Sequence, residues 1–142
     1  MSEDAREPVV VVGVDGSESS KHALRWAARQ AELSRARLVA ITAWHLPEIY
    51  GYVPRDHAHD AETMLRGVVE EVLGASPPVP LEPRVVEGRP AAVLIEASRN
   101  ADLIVLGTRG HGGFEGMLLG SVSQHCVHHA VCPVVVVPSG TS

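Results

Sequence analysis

Glycines are concentrated in one stretch of this chain where they could do chemistry. Six of the 13, at positions 107, 110, 112, 113, 116 and 120, fall within one segment that runs straight into Ser121-Val122-Ser123. Glycine lets successive backbone N–H groups turn toward one point, and a helix N-terminus adds unpaired amides and a partial positive charge. Together they make a cradle for phosphate, to which the Ser121 and Ser123 hydroxyls could add donors or hold a metal ion bridging phosphates. The alternative is a surface loop whose following helix is capped by Ser121. The segment is no Walker A loop, because no Gly-Lys-Ser/Thr occurs in the chain, and its glycines do not have the spacing of a dinucleotide-binding fingerprint. Its cations are Arg109 and His111, opposed by Glu115. Phosphoryl-transfer sites usually add a fixed Lys or Arg and metal-holding carboxylates, so their scarcity favours holding a nucleotide over cleaving it.

A second polar corner is Asp15-Gly16-Ser17. Asp15 could accept a hydrogen bond from a ribose hydroxyl or help position a metal, and it could equally cap the following helix, sharing that role with Ser17. A phosphoacceptor role for the corner fits less well, since the third strand ends in Glu87-Gly88 rather than an acceptor Asp and the last in Pro138-Ser139 without a lysine. His125, His128 and His129 stand at helical spacing around Cys126, and imidazole suits zinc. Against a metal, Val122, Cys126 and Ala130 form the apolar stripe of that helix. They leave His125 and His129 at its border and His128 facing away, near a helix end that favours positive charge. The structural reading is preferred, with Cys126 a small buried hydrophobe. Trp26 and Trp44 read as packing residues, and no Gly-x-Ser-x-Gly elbow exists to suggest acyl transfer.

Hydrophobic periodicity supplies the elements that must position these corners. Val9 to Val14 is a nearly unbroken β-branched run, and Glu18 to about Leu33 follows with Ala23, Leu24, Ala27, Ala28 and Ala31 at helical spacing. Strand character returns at Leu38–Trp44, and an irregular connection spans His45–Arg55. A helix over Ala58–Leu73 stops in Gly74-Ala75-Ser76-Pro77-Pro78. The more polar Leu81–Glu87 suits a sheet edge. Pro90 opens a third helix at the first helical position. Asp102–Gly107 and Pro133–Val137 are the last strands, with a helix over Val122–Ala130 between them. This βαβαβαβαβ order predicts an α/β fold with one doubly wound, five-stranded parallel sheet in the flavodoxin-like order 3-2-1-4-5. Its topological switch lies between strands 1 and 4, where ligands bind beyond the carboxyl ends of the strands. The Asp15 corner and the glycine-rich loop meet there.

Composition is consistent with this reading. The 142 residues allow a single domain over 1–142 with its core from about 8 to 138, and 45% apolar but only 4% aromatic residues suit Val-rich strands faced by Ala-rich helices. A net charge of −5 disfavours binding to nucleic acid or an anionic membrane. Lys21 is the only lysine among 12 cationic residues, so a reaction needing a catalytic lysine has one candidate. Two cysteines and an acidic, polar start, MSEDAREP, fit a reducing compartment, and no apolar run is long enough to span a bilayer. The expected location is cytoplasmic.

The spacing Gly107-x2-Gly110-x9-Gly120-Ser121 resembles the ATP-binding signature of the universal stress protein family, and the likeness extends from Val9 through Val137 in VVGVDGS, LIVLGTRG and HHAVCPVVVVP. The resemblance implies an adenine nucleotide alpha hydrolase-like fold that binds ATP, usually with Mg²⁺ or Mn²⁺, as a stress-response module without strong catalytic activity. It implies Asp15 at the ribose, with Gly13 and Val14 lining the nearby wall, and backbone contact to adenine from Ala43 and Trp44. Trp44, where smaller aliphatics are common, would narrow the adenine pocket. Gly107, Arg109, Gly110, Gly120, Ser121, Val122 and Ser123 would surround the ribose and phosphates. The resemblance further implies a homodimer through Pro133–Val137, whose apolar edge would otherwise be exposed, and leaves room for an unidentified protein partner. Two alternatives stand beside it: slow ATP hydrolysis or nucleotidyl transfer at the same cleft, and a dimeric, chaperone-like module without bound nucleotide.

Overall fold

A computed structural model describes residues 7–45, 56–108 and 120–138 of the chain. Its elements run β1 (Val9–Gly13), α1 (Glu18–Ser34), β2 (Arg37–Trp44), α2 (His57–Leu73), β3 (Leu81–Glu87), α3 (Pro90–Ala97), β4 (Leu103–Gly107), α4 (Ser121–His129) and β5 (Val134–Val137). All strand pairs are parallel, and the sheet order is β3-β2-β1-β4-β5, as the alternation of strands and helices predicts. Element ends differ from the sequence reading by one residue at most in the described segments. The polar β3 does lie at a sheet edge.

Alternation along each strand divides the core between the two faces of the sheet. Val10, Val12 and Val14, with Leu38, Ala40 and Val105, pack against the alanine-rich face of α1 and against Leu65 and Val68 of α2. Val11, Val39, Ile41, Ile104 and Leu106 face Leu94 of α3 and Cys126 of α4 on the other side. Both faces of the central strands are therefore covered, which is why β1 and β4 read as continuous apolar runs rather than alternating ones. Small residues on α1 let it lie close to the sheet: Ala23, Ala27, Ala28 and Ala31 are all buried.

Helix ends are set by local chemistry. The Ser17 hydroxyl caps α1 by accepting from the Ser20 amide at 3.1 Å, and the Asp56 carboxylate caps α2 by accepting from His59 at 3.0 Å. Helix α1 ends on Arg35 at φ 57°, a left-handed conformation in which its N–H reaches the Ala31 and Glu32 carbonyls. Helix α4 begins differently. Its N-cap is Gly120, with no side-chain cap bond, so Ser121 is the first helical residue rather than the cap considered from sequence.

Candidate functional site

The carboxyl ends of β1, β2 and β4 open into a cleft of about 100 Å³ at the switch point of the sheet. One wall is apolar, made by Ile41 and Ala43 of β2, Leu94 of α3, Leu106 of β4 and Val122 of α4. The opposite rim is polar, with Asp15, Ser17 and Ser20 at the start of α1. Gly13, Val14, Pro90, Gly107 and Ser123 complete the lining.

The Asp15 corner is held by a closed set of hydrogen bonds. Asp15 Oδ1 accepts from the Ser17 amide at 2.9 Å and from the Ser17 hydroxyl at 2.5 Å. The Asp15 amide donates to Ser20 Oγ at 3.3 Å, and that hydroxyl donates to the Ser17 carbonyl at 2.9 Å. Of the two roles weighed for Asp15, the cap itself belongs to Ser17, and Asp15 supports it from an exposed position on the cleft rim. Behind the corner, the buried Thr42 hydroxyl donates to the Val14 carbonyl at 2.8 Å, and the Val14 amide donates to Ile41 at 2.9 Å. The backbone leading into Asp15 is thus tied to β2 from both sides of one residue.

The β4–α4 side is equally fixed at its ends. Ser123 Oγ, buried, donates to the Gly107 carbonyl at 2.6 Å, and the Gly120 amide donates to Thr108 at 2.6 Å. A Cβ on Gly107 would lie 2.1 Å from Ser19 Oγ and 2.7 Å from the Ser19 carbonyl oxygen. Only glycine lets the first turn of α1 come so close to the end of β4. A Cβ on Gly13 would meet Leu106 at 2.9 Å and Leu94 at 3.1 Å, both flexible side-chain ends.

Of the residues picked out in the sequence, Gly13, Val14, Asp15, Ala43, Gly107, Val122 and Ser123 come together around this cleft. Gly120 and Ser121 sit at the start of α4 beside it. Arg109 and Gly110 lie outside the described residues. Trp44 does not narrow the cleft: it shares the sheet face of Ala40 and Thr42, stacks on His57 with ring centroids 6.4 Å apart, and lines a separate hollow with Asp56, His59 and Glu62. Strand parity decides this, since Ala43 and its neighbour must point to opposite faces. Ile41, Leu94 and Leu106 were missed as site residues because their apolar types signal only core. Ser17 carried a signal in the Asp-Gly-Ser corner, as did Pro90 in its place at the first turn of α3, and Ser20 carried none.

The family model of the universal stress proteins matches residues 8–138. This chain belongs to the universal stress protein family. Among curated relatives, the universal stress protein Rv2005c of Mycobacterium tuberculosis is 36% identical over 136 residues, covering 94% of this chain and 46% of that protein. A second, Rv2624c of the same organism, is 37% identical over 133 residues, 92% of this chain and 48% of that one. The chain thus spans about half the length of the curated universal stress proteins it matches. Among solved structures, UspA from Lactobacillus plantarum superimposes with a TM-score of 0.76 at 26% identity, covering 94% of this chain and 99% of that one. A universal stress protein in complex with cAMP gives 0.72 at 30% identity over 94% and 99% of the two chains.

In this universal stress protein the three histidines of α4 are all exposed, His128 as expected, while Cys126 and Ser123 are the buried residues of that helix and Val122 packs beside Cys126. Burial pushes the Cys126 thiol up to about 11, so it is neither a ready nucleophile nor a ready metal ligand. Lys21 is held by Glu18 and Glu71, bonds that raise its pKa and tie α1 to α2 away from the cleft lining. Among the described residues, no helix is long and apolar enough to cross a membrane.

Proposed function

We propose that this universal stress protein binds an adenine nucleotide, ATP with Mg²⁺ or Mn²⁺, in the cleft between β1 and β4, and acts in the cytoplasm as a nucleotide-dependent regulatory module. The observation that carries the reading is the cleft's division of labour. An apolar wall of Ile41, Ala43, Leu94, Leu106 and Val122 suits a flat base, and an acidic, hydroxyl-bearing rim at Asp15, Ser17 and Ser20 suits a ribose. The start of α4 carries no side-chain cap, which suits phosphate at its amides. The Ser123 hydroxyl is committed to the Gly107 carbonyl, so Ser121, exposed at the first helical position, is the described hydroxyl suited to a phosphate-bridging metal. That metal would neutralise phosphate charge that Lys21 does not reach.

A second reading, cAMP as the ligand, is favoured by the likeness to the cAMP-bound universal stress protein at 30% identity. Calorimetric titration with ATP and Mg²⁺, and separately with cAMP, separates the two. The first reading expects ATP to bind at least tenfold more tightly, and the reverse order establishes the second. No heat from either at millimolar ligand removes both and leaves the empty interaction module. Recovery of ADP or AMP in place of added ATP would mark the slow enzyme.

A further inference from the structure

The histidines of α4 carry an inference independent of the nucleotide cleft. His125 and His129 stand one helical turn apart, where side chains become neighbours on the helix surface. Their ring centroids are 5.9 Å apart and both rings are exposed. With metal–nitrogen bonds of ~2.0–2.1 Å, two imidazoles on one tetrahedral ion have ring centres roughly 5 Å apart. A small rotation of these two exposed side chains closes the pair to that spacing.

Tautomer matters as much as distance. His125 Nδ1 lies 3.3 Å from the Ser121 carbonyl, which can only accept, so Nδ1 carries the proton and the Nε2 lone pair points away from that bond. Ligating histidines ordinarily show this arrangement, with the second ring nitrogen donating to a backbone carbonyl or carboxylate. The pair also occupies the C-terminal half of α4, whose end carries partial negative charge favourable to a cation. His128 contacts His129 edge-on at 6.4 Å but neighbours it directly in sequence, so the two diverge around the helix. Among the described residues no cluster of three ligating side chains forms, so within them the pair would be the whole of the protein's ligand set.

We propose that His125 and His129 form a two-histidine site on α4 for a divalent transition-metal ion of the imidazole-preferring class, Zn²⁺, Ni²⁺ or Cu²⁺, separate from any metal carried by a nucleotide. Oxygen-seeking Mg²⁺ does not compete for it. Calorimetric titration of the full chain with Ni²⁺ in millimolar Mg²⁺ tests the site. One ion is expected to bind, His125→Ala and His129→Ala each weaken it at least tenfold, and His128→Ala leaves it within twofold. Circular dichroism checks that each variant keeps its helices, and His125→Gln and His129→Gln serve where alanine does not fold. Absence of Ni²⁺ binding, or equal losses in all three alanine variants, overturns the proposal. So does unchanged affinity in His125→Ala and His129→Ala, which would place the ion on other histidines.

Discussion

Gly107 lines the cleft and Gly120 caps the helix beside it, and the two differ in what their backbones require. At Gly107 a Cβ would run into the backbone of Ser19, 2.7 Å away, so the residue is required by the approach of α1 to β4. Gly107→Ala is therefore expected to lower stability by roughly 1–3 kcal/mol, the usual cost of overpacking, whether or not ligand is present. Urea denaturation measures it, and an unchanged midpoint would show that α1 gives way freely. Gly120 has φ −75° and ψ 172°, extended backbone open to any residue. On the nucleotide reading proposed above, Gly120→Val should keep the fold while abolishing the heat of ATP binding, because the added bulk would stand where phosphate approaches α4. The glycine cluster was legible in the sequence as a candidate site, most of which lies outside the described residues. That its first member also serves packing was not, because Ser19 is 88 positions away in the chain and only the fold brings it near.

At the scale of elements, patterning and punctuation were enough to place the strands and α-helices of the described residues, because most boundaries here have a local cause. Ser17, Asp56, Pro90 and Gly74 are such causes, and all four sit at helix ends. Arg35 is the exception, a bulky residue in the left-handed conformation that glycine ordinarily supplies, and nothing local announced it. The β2–β3 edge adds a pH dependence. Glu82 pairs with Arg84 at 2.8 Å and with Arg37, and these partners, Arg84 first, hold its carboxyl below the ordinary value of 4.5. A depressed carboxylate contributes stability that is present above its ordinary pKa and is lost as pH falls through the lowered one. The side chains are more than a third exposed, so the contribution is screened and at most about 1 kcal/mol. Glu82→Gln should be slightly less stable than the parent near about pH 7, and the deficit should shrink as the pH falls through the lowered carboxyl pKa. Thermal melts of both proteins across a pH series decide it, and a deficit that does not shrink in acid would assign the loss to packing.

The whole molecule is a sheet whose two edges are managed differently. At the β3 edge, Pro83, Arg84 and Glu87 are exposed and unsuited to strand pairing. The β5 edge offers Val134–Val137, four valines of intermediate burial that lack a second strand neighbour among the described residues. We propose that a second copy covers this edge, in keeping with the homodimer expected from the resemblance. Sedimentation equilibrium at micromolar concentration should return twice the 15.1 kDa of one chain. A single-chain mass would mean that the edge is covered from within the chain.

What the sequence by itself determined is whatever depends on neighbours along the chain. Strand and helix order follows from periodicity, and sheet order from the βαβ pattern. The tertiary structure decided whatever depends on facing. The resemblance implied that the Trp44 side chain would narrow the adenine pocket, yet the sheet turns it toward α2, while Ala43 lines the cleft. His125 and His129 were set at the border of an apolar stripe with His128 facing away, and the packing of α4, which buries Ser123 and Cys126, leaves all three exposed. A one-residue step reverses the face of a strand, and a helix spreads its residues around a full turn. Which direction is inside is settled only when the layers pack.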